Sequence, residues 1–168
     1  MRSNGFTLIE LLVVIAIMGS LLAIAGLYFN GMTVKNGIER EMKEMYADMM
    51  TIRSEALFQK KIRSVKISST SFLVYSSNNV SVTPLTSKTL KYAVNLYVDP
   101  ASNPATLQID YDTRGVATFA GDNTRLKAAV CAQMTGKSSL DTIAATQTII
   151  QMGRQKSAGC SYDNTAVQ

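Results

Sequence analysis

Near its amino terminus the chain reads Gly5-Phe-Thr-Leu-Ile-Glu10, and from Leu11 to Phe29 it continues LLVVIAIMGSLLAIAGLYF. These last nineteen residues carry no charge. A helix needs about 20 predominantly apolar residues to cross the hydrocarbon core of a bilayer. The stretch therefore predicts a membrane-spanning helix.

Two alternatives for this stretch fit less well. A cleaved secretory signal has an apolar region of only about 7–15 residues that ends at an A-x-A-like site, and no such site follows here. A buried core helix that is apolar on every side would be unusual in a chain of 168 residues.

Glu10 is the only charged residue between Phe6 and Val34. A carboxylate inside a lipid-embedded helix costs about 3 kcal/mol unless it is paired. Glu10 is therefore a candidate functional group that needs a positive partner. The alternative is that it lies at the membrane interface and reaches water.

The composition excludes several classes of chemistry. The chain contains no His and two Cys, which rules out Ser-His-Asp and Cys-His catalysis, His-bound zinc and Cys-rich zinc sites. Asp110 begins a segment like a calcium loop, but Arg114 and Gly121 stand where carboxylate ligands are needed. No Gly-rich phosphate loop follows a predicted strand. We therefore predict no catalytic residues, no metal and no cofactor.

The segment after Phe29 changes to an amphipathic pattern. Its apolar residues recur at helical spacings and form one stripe, which predicts a helix face that packs on a sheet. The alternative is a soft, Met-rich recognition surface. The predicted helix runs from Phe6 to about Lys60. The stripe consists of Ile38, Met42, Met45, Met49, Ile52 and Ala56.

Beyond Lys61 the apolar pattern changes to a period of two, which indicates β-strands. Six to eight short strands are predicted, with a hairpin whose turn is Asp112-Thr-Arg-Gly115. The predicted fold class is therefore α+β, with one long helix packed on an antiparallel sheet. The predicted strands include 65–68, 71–76, 80–83, 90–98, 107–111, 116–119, 125–131 and 146–152.

The amino-terminal motif, a short basic leader ending at Gly5 followed by Phe6 and Glu10, resembles the class III signal of the type IV pilin superfamily. That resemblance implies that a prepilin peptidase cleaves between Gly5 and Phe6 and methylates the new amine of Phe6. It also implies that Glu10 neutralises the terminal amine of a neighbouring subunit. The implied organisation is a leader peptide over 1–5, a transmembrane and assembly helix over 6–34, and a pilin-like head over 35–168.

Within the superfamily, the segments 49–57, 112–119 and 148–154 are similar to pseudopilin H and to the FimT- and FimU-type minor pilins. The last of these segments is similar to their final strand and Gly-Arg turn. The resemblance implies a structural subunit of a type II secretion pseudopilus or a type IV pilus. Its partners would be other pilin subunits, the prepilin peptidase and the inner membrane. Arg2 before the apolar helix favours a cytoplasmic amino terminus, which leaves the head in the periplasm.

A head exported to an oxidising compartment favours a disulfide between Cys131 and Cys160. The bond would enclose 28 residues and hold the polar carboxy-terminal segment to the sheet. Two buried thiols are the alternative.

Basic residues are unevenly distributed. Residues 53–91 contain seven Lys or Arg and one acid, and residues 125–156 contain five and one. Gly153-Arg154-Gln155-Lys156 is similar to a Gly-Arg-x-Arg motif associated with DNA binding in FimT-type pilins, with Lys156 in place of the last Arg. The alternative function is therefore a DNA-binding minor pilin, in which Arg154 and Lys156 bind phosphate. A solvated, mixed surface is the simpler interpretation.

Overall fold

The structure is a computed structural model that describes residues 7–100, 102–119, 122, 124–133, 138–157 and 159–167, with the side chains of 24–28 left aside. The predicted leader and the Gly5–Phe6 cleavage site lie outside the described residues. The described part contains one helix followed by ten strands. They are α1 (Leu8–Gln59), β1 (Arg63–Ser68), β2 (Ser71–Tyr75), β3 (Thr86–Thr89), β4 (Val94–Val98), β5 (Thr106–Tyr111), β6 (Ala117–Phe119), β7 (Lys127–Ala132), β8 (Thr142–Thr146), β9 (Ile150–Gln155) and β10 (Thr165–Val167).

Helix α1 is continuous over 52 residues, and both of its ends are set by local sequence. Thr7 is the N-cap in an extended conformation, and its side chain accepts a hydrogen bond from the backbone of Glu10. Lys60 adopts the left-handed conformation, with φ 53°, and its N–H donates to Ala56 O. This left-handed residue stops the helix and turns the chain toward β1. The predicted boundary between 34 and 35 falls inside α1.

The strands form two antiparallel sheets of five. The first sheet has the order β3-β2-β1-β5-β6, and the second has the order β10-β9-β8-β7-β4. In the first sheet Val65 stands opposite Val74 on one side and Ile109 on the other. In the second sheet Val130 stands opposite Leu96 and Ile143.

The core lies between the second half of α1 and the two sheets. All six residues of the predicted stripe are buried and belong to one apolar cluster with side chains from both sheets. The stripe is therefore a packing face, and the alternative of a Met-rich recognition surface is wrong. Met49 is fully buried, so the thioether fills space against the sheets as a core residue does.

Several strand predictions were wrong in detail. Residues 80–83 form a turn, and the edge strand β3 follows them. Strand β4 begins at Val94 rather than at residue 90. Strands β8 and β10 were not predicted. The residues of β8 are buried in four of five positions, so the strand shows no polar alternation, which is typical of strands covered on both faces.

Among the residues that the structure describes, no helix is long and apolar enough to cross a membrane. The membrane-spanning character of residues 6–34 is therefore not confirmed and stays a prediction.

Candidate functional site

The amino-terminal end of α1 is organised by Thr7 and Glu10. The Thr7 backbone N–H and the Thr7 hydroxyl both donate to Glu10 Oε2 at 2.9 Å, and the Glu10 N–H donates to Thr7 Oγ1 at 3.3 Å. This reciprocal pattern is a capping box. It holds the Glu10 carboxylate at the first turn of the helix, and Oε1 accepts no hydrogen bond from the described residues. A positive group of another molecule can therefore approach that oxygen.

The first half of α1 presents apolar side chains on all sides. Leu8 is 82% exposed, Leu22 72% and Phe29 73%, and the residues described between them are exposed as well. The head begins to cover the helix only at Val34 and Ile38. Exposed apolar surface of this extent marks a surface for a partner molecule or a lipid phase.

Charged side chains of α1 form hydrogen bonds with the backbone of loops in the head. These contacts lie at both ends of the part of the helix that packs on the two sheets. Glu39 accepts a hydrogen bond from Ser139 N at 2.8 Å, and Glu41 accepts from the backbone of the loop before β4, at Lys91 N and Tyr92 N. Near the other end, Arg53 Nε donates to the carbonyl of Gly115 at 2.8 Å. The bond from Ser139 lowers the pKa of Glu39, which burial opposes. These contacts set the position of the helix on the two sheets.

Cys131 and Cys160 form the predicted disulfide, with Cα atoms 5.7 Å apart. Cys131 lies in β7, and Cys160 lies in the segment between β9 and β10. Lys127 in β7 reaches the same segment through an ion pair with Asp163 at 3.0 Å. The carboxy-terminal segment is therefore held across the second sheet by a covalent bond and a charge pair.

Arg154 and Lys156 are both exposed, and neither forms an ion pair or a side-chain hydrogen bond with a described residue. Arg154 lies in β9 on the same face as Met152, because residues two apart point to the same side of a strand. Gly153 is also inside β9, so the predicted Gly-Arg turn is wrong. An ideal Cβ on Gly153 would lie 2.4 Å from Ala166 O, so glycine is needed here for the close approach of β10.

The basic segments do not form uniform basic patches, because many of their charges bind protein groups. In the first segment Arg63 pairs with Glu55, Lys88 pairs with Asp48, and Arg53 binds a carbonyl. In the second, Arg125 pairs with Asp122 and Lys127 with Asp163. Arg154 and Lys156 thus differ from these neighbours in being unpaired within the described structure.

Sequence reasoning missed Thr7, Glu39 and Glu41. Thr7 was detectable, because Thr-x-x-Glu before an apolar run is the signature of a capping box. The roles of Glu39 and Glu41 were not detectable, because each binds backbone groups that lie about 50 to 100 residues away. Within the described residues, no group of three or more His, Cys, Asp or Glu could hold a metal ion.

The chain matches known proteins at its amino terminus and in its fold. Residues 1–26 match the family described as the prokaryotic N-terminal methylation motif. No curated protein sequence matches the chain. The fold is similar to the crystal structure of the type IV minor pilin FimU of Pseudomonas aeruginosa strain PAO1, with a TM-score of 0.50 and 16% identity over 78% of this chain and 98% of that chain. At this identity the likeness concerns the fold. The chain thus combines the prokaryotic N-terminal methylation motif with a pilin-like α+β fold similar to that of a type IV minor pilin.

Proposed function

We propose that this chain is a structural, non-enzymatic minor subunit of a type IV pilus or a type II secretion pseudopilus. The proposal rests on one observation, that the two halves of α1 have different surroundings. One half packs into the head, and the other exposes apolar side chains at the described positions between Leu8 and Phe29 and has a carboxylate at its start. Such a helix buries its surface only when other helices or lipid surround it. The motif and the fold also imply assembly with other pilin subunits.

The apolar half of the helix would hold the subunit in the inner membrane before assembly. The uncharged stretch from Leu11 to Phe29 supports this placement. Arg2 favours a cytoplasmic amino terminus, and the disulfide favours an oxidising compartment for the head. We therefore place the head in the periplasm.

Processing by a prepilin peptidase would precede assembly, with cleavage after Gly5 and methylation of Phe6. Gly5→Val should leave the precursor uncut and unassembled, because a branched side chain replaces the small residue at the cleavage site. Intact-mass analysis of the wild-type protein from membranes should show the loss of residues 1–5 and the gain of one methyl group. Mature protein that still contains those residues would contradict this step.

Glu10 provides the direct test of the assembly role. Glu10→Val should still insert and be cleaved, because it makes the helix more apolar. It should enter filaments at least about tenfold more slowly, because the amine of the neighbouring subunit then lacks its partner in a low-dielectric environment. The readout is the amount of subunit in sheared filaments relative to the amount in membranes. Glu44→Val, which removes an exposed carboxylate of the head, is the control and should assemble normally.

Wild-type entry of Glu10→Val into filaments would show that the carboxylate only reaches water at the interface. Failure of the wild-type chain to enter any filament would overturn the proposed function itself.

A second candidate function, binding of DNA during uptake, is favoured by one observation. Arg154 and Lys156 are exposed, two residues apart and unpaired within the described structure, so both charges are available to phosphates. Two phosphate contacts predict a slope of roughly −1.8 in a plot of log affinity against log salt concentration. The double variant Arg154→Ala, Lys156→Ala should reduce the slope to near zero in mobility shifts of duplex DNA by the detergent-solubilised chain. Arg114→Ala, which removes an Arg paired with Asp112, should not.

A further inference from the structure

A cleft of about 290 Å³ lies where α1 leaves the head, between the helix and the loop before β4. Tyr92 of that loop lies directly against Gly37, where an added Cβ would overlap the tyrosine ring. Glu41 anchors the loop, because its carboxylate accepts hydrogen bonds from Lys91 N at 2.6 Å and from Tyr92 N at 2.9 Å. The backbone of the helix at Gly37 and an anchored aromatic ring thus form two walls of the cleft.

Two positive and two negative side chains line this cleft, namely Arg40, Lys91, Glu41 and Glu44. The Glu41 carboxylate is occupied by the loop, but the other three side chains keep bonding capacity. Arg40 Nε donates to Glu44 Oε1 at 2.8 Å, which leaves the terminal amino groups of Arg40 and Glu44 Oε2 without a hydrogen bond to the described residues. The Lys91 ammonium lies 5.5 Å from the centre of the Tyr92 ring and forms no ion pair with a described residue. The cleft therefore offers two cations and one carboxylate oxygen to a ligand.

The cleft begins just beyond the uncharged part of α1. The chain carries no charge between Leu11 and Val34, and Gly37 lies three residues further along the helix. At about 1.5 Å per residue, this separation is about 4.5 Å. The polar headgroup layer on each side of a bilayer is about 5–7 Å thick. With the uncharged segment in the hydrocarbon core, as the proposed function places it, the lower end of the cleft lies among the lipid headgroups.

The charges of the cleft indicate which kind of headgroup fits. The guanidinium of Arg40 and the ammonium of Lys91 are the groups that bind phosphate in proteins. The free oxygen of Glu44 can accept a hydrogen bond from a primary ammonium, which has three donors. The four lining charges cancel, so the cleft does not favour a ligand that carries only negative charge. A headgroup that combines a phosphate with an ammonium is complementary to both signs.

We propose that this cleft binds the headgroup of a zwitterionic phospholipid, with the phosphate at Arg40 and Lys91 and the ammonium at Glu44. The inference rests on the membrane placement of the proposed function. The bound lipid would hold the lower end of the head against the membrane surface while the subunit is unassembled. The contact belongs to the membrane-bound state, so its loss should not prevent entry into filaments.

Short-chain lipids test the site without a filament, so a negative result would leave the proposed assembly role untouched. The probes are dihexanoyl phosphatidylethanolamine and dihexanoyl phosphatidylglycerol, which has the phosphate but no ammonium. Each is titrated into the isotopically labelled full chain in detergent micelles, and the amide resonances of Gly37 and Tyr92 are followed by NMR. We expect saturable shifts, with phosphatidylethanolamine binding about fivefold more tightly, because only its ammonium pairs with Glu44. The absence of saturable shifts with either lipid, or equal affinity for both, would overturn the proposal.

Three variants separate binding in the cleft from general attraction between charges. Glu44→Gln keeps the shape of the side chain and should abolish the preference for phosphatidylethanolamine. Lys91→Ala removes a phosphate partner and should weaken the binding of both lipids by about fivefold. Lys61→Ala, at an exposed lysine beyond the other end of α1, is the matched control and should leave both affinities unchanged. If Lys61→Ala weakens binding as much as Lys91→Ala does, the lipids respond to overall charge and the cleft is not a site.

Discussion

Gly153 is a single residue on which the position of a whole strand depends. A Cβ there would lie 2.4 Å from Ala166 O and 2.6 Å from Thr165 Cγ2. Both contacts are far inside van der Waals distance, and the first is to backbone, which cannot move aside without displacing β10. The role of this glycine is therefore close packing inside a strand rather than the formation of a turn.

Gly153→Ala should lower the free energy of unfolding by about 1–3 kcal/mol, the usual cost of overpacking. Denaturant unfolding of the purified chain measures the effect. Gln151→Ala is the matched control in the same strand, because Gln151 is half-exposed, and its change should stay within about 0.5 kcal/mol. An unchanged unfolding midpoint for Gly153→Ala would show that β10 does not approach β9 as described.

At the scale of secondary structure elements, α1 is held to the head by apolar burial and by a few charged side chains that bind loop backbone. Glu39 shows how such a contact depends on pH. Its pKa lies below the ordinary value, chiefly because Ser139 N donates to the carboxylate. A carboxyl group whose pKa is lower in the folded state contributes stability above its unfolded pKa and loses that contribution as the pH falls through the folded pKa.

The chain should therefore lose stability as the pH falls below about 4.3, the ordinary pKa of Glu. Other carboxylates contribute to the same transition, so the comparison with Glu39→Gln isolates one group. The variant should be less stable than the wild type at pH 7, and the difference should shrink toward pH 3. Thermal unfolding at both pH values measures it. If the wild type and Glu39→Gln differ in stability by the same amount at pH 7 and at pH 3, the effect comes from packing and not from the charge of the carboxylate.

At the scale of the whole molecule, the disulfide joins the segment between β9 and β10 to β7, an interior strand of the second sheet. The bonded residues Cys131 and Cys160 are separated by 29 positions in the sequence. In the chain-entropy model a loop of this length stabilises the folded state by about 3–4 kcal/mol. The segment that the bond secures is polar and has little apolar packing of its own to hold it, so it would fray without the bond.

The double variant Cys131→Ala, Cys160→Ala should lose about 3–4 kcal/mol in denaturant unfolding. Its carboxy-terminal segment should also become sensitive to protease before the rest of the head unfolds. In cells, both cysteines should resist alkylation until a reductant is added, because the head would be in an oxidising compartment. Two freely alkylated thiols in protein taken without reductant would contradict both the bond and the proposed location of the head.

The sequence by itself determined the features that depend on local pattern. The apolar stripe from Ile38 to Ala56 predicted the packing face of α1, because side chains three or four residues apart lie on the same face of a helix. The Asp112–Gly115 turn and the disulfide partners were also predictable, the first from turn chemistry and the second from the resemblance to an exported family.

Only the tertiary structure decided how many sheets form and which groups are left without partners. Strand β8 was hidden because four consecutive residues of it are buried, so both of its faces are covered and no polar alternation marks it. The division into two sheets depends on pairings between strands far apart in the chain, such as β4 with β7. That Arg154 has no charged partner among the described residues also follows from the tertiary structure, because a side chain's partners are set by what packs beside it and not by its neighbours in sequence.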